Sequence, residues 1–151
     1  MSAGRGFRRG VTWVGLVLVG VLLAGATGCG GVPYKTVPVS GKITYDDGSP
    51  IKAAHIELIF WPQVQAIDAK TKPRQGAAEV DPADGSFSVV STWQYGDGAI
   101  VGKHKVCVFA KDEKGNFLRA VPQIYRDPKT TPLEVEVSKG MAPLELPVKK
   151  K

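Results

Sequence analysis

The sequence predicts an all-β protein, a two-sheet antiparallel sandwich of about seven short strands. Three observations carry this. Apolar and polar residues alternate with a period of two over most of the chain beyond position 36. Clusters of Asp, Gly and Pro separate the alternating runs, and outside the first 28 residues no segment sustains a helical period. Successive side chains of a strand point to opposite faces, so each run covers a core with one face and meets water with the other.

The runs follow in order. Val37, Val39, Gly41, Ile43 and Tyr45 share one parity against Pro38, Ser40, Lys42 and Thr44. Ile56, Leu58 and Phe60 stand against His55 and Glu57. Weaker strands read at Gly76–Val80, at 87–91 and at 103–111. Leu133, Val135 and Val137 alternate with Glu134, Glu136 and Ser138, and Leu144, Leu146 and Val148 with Glu145, Pro147 and Lys149. Between them lie "YDDGSP", "DPADGS", "YGDG" and "EKGN". Asp and Gly accept the left-handed backbone that hairpins need, and Pro fixes φ where no amide donor is wanted.

The first 28 residues are of another kind. Arg5, Arg8 and Arg9 precede an uncharged run over 11–26, which as a helix spans roughly 24 Å, short of a ~30 Å hydrocarbon core. A basic start, an apolar middle and small residues at the end describe a secretory signal rather than a permanent membrane span. Ala26, Thr27, Gly28 and Cys29 resemble the lipobox of bacterial lipoproteins; Thr27 and Gly28 match, while Ala26 replaces the usual leucine. The resemblance implies a diacylglycerol thioether on Cys29, cleavage between Gly28 and Cys29, and attachment to a membrane through that lipid. Two or three acyl chains hold firmly where one holds weakly. Gly30, rather than Asp, after Cys29 implies the outer membrane under the enteric sorting rule. The expected organisation is a signal peptide over 1–28, a lipidated cysteine with a short tether over 29–36, and a sandwich over 37–151.

Loss of the leader lowers the formal charge from +6 to +3, because it removes three arginines and no acid. No Arg/Lys cluster interleaves with aromatics, which argues against nucleic acid as a partner. Lys149, Lys150 and Lys151 read as a solvated tail or as a contact for anionic headgroups. Once Cys29 is acylated, Cys107 has no partner within the chain. A disulfide framework is thereby excluded and a quiet strand thiol is expected.

Four stretches carry a wider resemblance: "VSGKITYDDGSPIKAAHIELIFWP", "DPADGSFSV", "YGDGAIVGKHKVCVFA" and "VPQIYRDPKTTPLEVEV". In that order they resemble the transthyretin-like (prealbumin-like), carboxypeptidase-regulatory-like domains of bacterial envelope lipoproteins. The resemblance implies an accessory, adhesive or structural sandwich without a catalytic site. The one enzyme of this fold, 5-hydroxyisourate hydrolase, uses two histidines, an arginine and a terminal Tyr-Arg-Gly-Ser. Here Tyr125 to Pro128 read "YRDP", with two strands following.

No catalytic residue, metal site or cofactor is expected. His55 has the outward parity of its strand and His104 the inward one, so the two diverge. Copper and zinc lack ligands, with only Cys107 and Met141 to join the histidines. Calcium takes six to eight oxygens, and each acidic turn offers one or two carboxylates. The expected function is a non-catalytic structural or protein-interaction domain of the cell envelope; the alternative is an accessory carbohydrate- or small-ligand-binding module. Candidate contacts to an envelope protein or polysaccharide are Trp61, Trp93, Tyr95 and Tyr125, with the loops 63–74 and 113–131. Trp61 and Trp93 read equally as core lids, and Tyr125 as a plug from a crossing loop.

Overall fold

The alternating runs fold as strands at the expected parity. The computed structural model describes residues 32–150; the leader, Gly28, Cys29 and Lys151 lie outside the described residues. Nine strands follow in order: β1 (Thr36–Val37), β2 (Gly41–Tyr45), β3 (His55–Pro62), β4 (Gly76–Val80), β5 (Ser86–Phe87), β6 (Ala99–Ile100), β7 (Gly102–Lys111), β8 (Glu134–Val137) and β9 (Leu144–Val148). One four-stranded antiparallel sheet runs β4-β3-β7-β8, a three-stranded sheet runs β5-β2-β9, and β1 pairs with β6.

The core lies between the two larger sheets. Ile43, Phe87, Leu146 and Val148 from one share an apolar cluster with Leu58, Phe60, Val106 and Val108 from the other. The rings of Phe60 and Phe87 meet at 6.1 Å. Each such Leu, Ile or Phe contributes about 1.5–3 kcal/mol by leaving water. The arrangement is that of a β-sandwich.

Four details differ from the expectation. There are nine strands among the described residues rather than about seven, because β1, β5 and β6 are two-residue pairings too short to alternate visibly. Not every pairing is antiparallel: β2 and β9 run parallel, Gly41 opposite Leu144 and Tyr45 opposite Val148. β9 lies at the sheet edge, where Pro147 can lack an N–H without breaking an interior ladder. The run at 87–91 divides between the sheets. Phe87 pairs with Gly41 of β2, whereas Ser91 returns to β4 and exchanges two hydrogen bonds with Ala77, both 2.9 Å. Finally, the fold begins before Val37: Tyr34 is buried, the Lys35 carbonyl accepts from Val101 N at 2.9 Å, and Thr36 pairs with Ile100.

The connection from β7 to β8 crosses the sandwich. A short 3-10 helix, Gln123–Arg126, sets Tyr125 in the core at 1% exposure, where its hydroxyl accepts from Lys149 N at 3.0 Å. Thr131 Oγ1 then donates to the Val106 carbonyl at 2.7 Å.

The register gives the four-stranded sheet two ends. Pro62, Gly76, Gly102 and Val137 mark one, and His55, Val80 and Lys111 the other. The N-terminal segment joins the first end.

Candidate functional site

Period two places His55, Glu57, Ala77, Glu79 and Lys111 on the outward face of β3, β4 and β7. Beside them the segment 86–91 stands off from β4. It is tied at both ends, by Asp81 N to Ser86 O at 2.8 Å and by the Ala77–Ser91 bridge. Four residue steps on β4 face five on this segment, so the longer side bows outward as a bulge does. The result is an open groove of about 950 Å³ along β4, with Tyr95 towards one end and His55 and Asp81 towards the other.

Two carboxylates dominate its floor. Ala77 turns its backbone groups to Ser91, so Glu79, two residues on, also turns its own away from β3. Glu57 and Glu79, opposite in register, therefore form a non-hydrogen-bonded pair, the closer kind, with Cα atoms about 4.5 Å apart. Lys111 Nζ donates to Glu57 Oε2 at 3.1 Å. Like charges so placed repel, and a ligand offering hydroxyl or cationic donors relieves that repulsion. Tyr95, 89% exposed, supplies an aromatic face.

The sequence-derived contact residues do not converge. Trp61 is 38% exposed at the end of β3, opposite Lys105. Trp93 is half-buried and stacks on Tyr34. Only Tyr95 lines the groove. Tyr125, a candidate contact, is enclosed in the core and packs as the plug it also resembled. No known family model, characterised protein or solved structure matches this chain.

The reactive side chains are held apart. His104 is 1% exposed with Phe60 edge-on at 6.2 Å. Its Nδ1 lies 3.0 Å from the Gly102 carbonyl, while Nε2 has no partner. Burial lowers its pKa, and the bond to Gly102 opposes this only partly. Cys107 is fully buried; burial, then the charge of Asp127, push its thiol up to about 11. His55 is exposed on the opposite sheet face from His104. Among the described residues no three His, Cys, Asp or Glu side chains gather as for a metal, and no helix is long and apolar enough to cross a membrane.

The acidic turns use their carboxylates on their own backbone. Asp47 accepts from Ser49 N at 3.0 Å, Asp81 from Ala83 N at 2.8 Å and Asp84 from Ser86 N at 2.8 Å. Burial pushes the Asp97 carboxyl up, but the amides of Thr92 and Trp93 outweigh it and hold the group below the usual range. These are turn-forming contacts.

Glu57, Glu79 and Tyr34 escaped the sequence reading. Parity alone put Glu57 outward beside His55, but the pairing that brings Glu79 to it joins residues with a 13-residue loop between their strands.

Proposed function

We propose that the chain is an envelope lipoprotein whose transthyretin-like sandwich acts as a non-catalytic interaction domain held at the membrane by Cys29, on the outer membrane where a cell has two. The observation that carries this is the order of the N-terminal segments: three arginines, an uncharged run, Thr27-Gly28-Cys29, and then a domain that starts at Tyr34. Burial of His104 and Cys107 supports the non-catalytic part, since neither reaches a substrate at the surface.

The test is metabolic labelling with a fatty-acid analogue and mass spectrometry of the N-terminal peptide. Wild type carries acyl chains on Cys29 with residues 1–28 removed. Cys29→Ser carries neither change, because serine's hydroxyl is far less nucleophilic than a thiolate. A wild-type chain cut elsewhere and recovered free of membranes overturns the reading.

The groove along β4 favours a second reading, a carbohydrate-binding accessory module. Adjacent carboxylates accept hydrogen bonds from sugar hydroxyls, and an exposed tyrosine stacks on a sugar face. Titration with envelope oligosaccharides, compared between wild type, Glu79→Gln and Tyr95→Ala, decides it; equal heats for all three sink the groove as the site.

A further inference from the structure

The first residues of the domain, the loop 63–74 and a group of basic side chains meet at one end of the four-stranded sheet. Gln63 N donates to the Lys103 carbonyl at 2.8 Å, and Val101 N to that of Lys35 at 2.9 Å. Ile67 N donates to the Tyr34 hydroxyl at 3.1 Å, which ties the loop to the point where the chain leaves the fold. Lys35 and Lys139 line a shared depression beside it. Among the described residues this end carries Lys35, Lys70, Lys72, Arg74, Lys103 and Lys139 against Asp68, Asp97 and Glu136. The other end holds Asp46, Asp47, Asp81, Asp84, Asp112 and Glu113 with Lys52, Lys111, Lys114, Lys149 and Lys150, and Arg126 joins Lys111 over the Phe117 ring, so its charges nearly balance. Lys149 and Lys150 belong to that second end, with Lys150 on Asp47.

Apolar residues are exposed at the same basic end. Ile67 is 60% exposed and Val32 is 47% exposed. Asp68 fixes the turn around Ile67 by accepting from Lys70 N at 2.7 Å and Thr71 N at 2.6 Å.

We propose that this end docks on an anionic lipid bilayer, Ile67 entering the headgroup layer while Lys70, Lys72 and Arg74 meet lipid phosphates. The proposal rests on the lipid anchor at Cys29. Five residue steps separate Cys29 from Tyr34, at most about 18 Å of extended chain. An anchored domain therefore keeps its basic end within about two Debye lengths of the headgroups at 0.1 M salt. The anchor makes docking intramolecular, so a contact too weak to recruit the free domain suffices. A bilayer is the occupant that so short a tether forces against this end, and the excess of cations matches its surface.

The test uses the full chain as processed and acylated in its own membrane, bound to vesicles of phosphatidylcholine with or without about a third phosphatidylglycerol. An environment-sensitive label is placed by Ala69→Cys in the loop or by Lys114→Cys at the far end; Cys107 is buried and stays unlabelled. On anionic vesicles the label at 69 is immersed and the label at 114 is not. Lys70→Gln and Lys72→Gln each lower the docked-to-undocked ratio about fivefold. If the protein carries acyl chains and floats with the vesicles, but position 69 behaves like 114 or ignores phosphatidylglycerol, docking is overturned and the anchor stands. A chain that carries no acyl group and does not float overturns both.

Discussion

The phenol of Tyr34 lies flat on the indole of Trp93, centroids 6.1 Å apart and planes 9° from parallel. Its hydroxyl accepts from Ile67 N and donates to the Thr71 carbonyl at 3.0 Å. One side chain thus joins three segments distant in sequence. Tyr34→Phe keeps the stack and removes the hydrogen bonds. The expected loss is about 1 kcal/mol, and hydrogen exchange at the Ile67 amide should quicken far more than at Val106; unchanged exchange at Ile67 would refute the tie.

Gly98 adopts φ 91°, and a Cβ there would land on the Val37 carbonyl. Gly115 has φ 81° but open space around it. Gly98→Ala should cost well over 2 kcal/mol, backbone strain and clash together, whereas Gly115→Ala costs about 1–2 from strain alone. Urea denaturation of the two variants measures the difference.

His104 gives the fold a pH dependence of defined sign. Its folded pKa lies below the ordinary 6.5, so the native state favours the neutral ring and the unfolded chain takes the proton first. This contribution is complete above 6.5 and is lost as pH falls through 6.5 towards the folded value. Unfolding midpoints should drop over that interval. His104→Phe should flatten the drop, and an equal drop in the variant would assign it elsewhere.

With its pKa near 11, the Cys107 thiol is about one part in a thousand ionised at pH 8, and burial blocks access as well. Maleimide should modify it only in denaturant. Fast labelling of the native protein would contradict its full burial.

Leu58 is fully buried and Glu134 is exposed on Lys105. Leu58→Ala should cost about 2–4 kcal/mol, and Glu134→Ala should leave the denaturation midpoint unchanged. Similar losses would invalidate the strand parity.

Side-chain parity was legible in the sequence because a half-buried strand writes it directly: Ile56, Leu58 and Phe60 are interior and His55 is exposed, as alternation requires. Strand direction and partner leave no such mark. Leu144, Leu146 and Val148 alternate the same way beside β2 whether parallel or antiparallel. The two-residue ladders of Thr36 with Ile100 and Ser86 with Lys42 are too short for any period. The groove was illegible for a related reason, since Glu57 and Glu79 become neighbours only through register. Tyr34 was missed because its burial comes from a loop, which has no period.

The parallel pairing of β2 with β9 also sets a clock. Gly41 and Leu144 are 103 positions apart, and contacts so distant in sequence form slowly because a long loop must close first. During synthesis β2 is made before β9, and its edge waits until the segment 103 positions further on has followed it. Val148 and the Lys149 amide that holds Tyr125 come with that segment. Partial chains therefore lack both the closing strand and the anchor of the plug. Folding of this domain is gated by the arrival of β9.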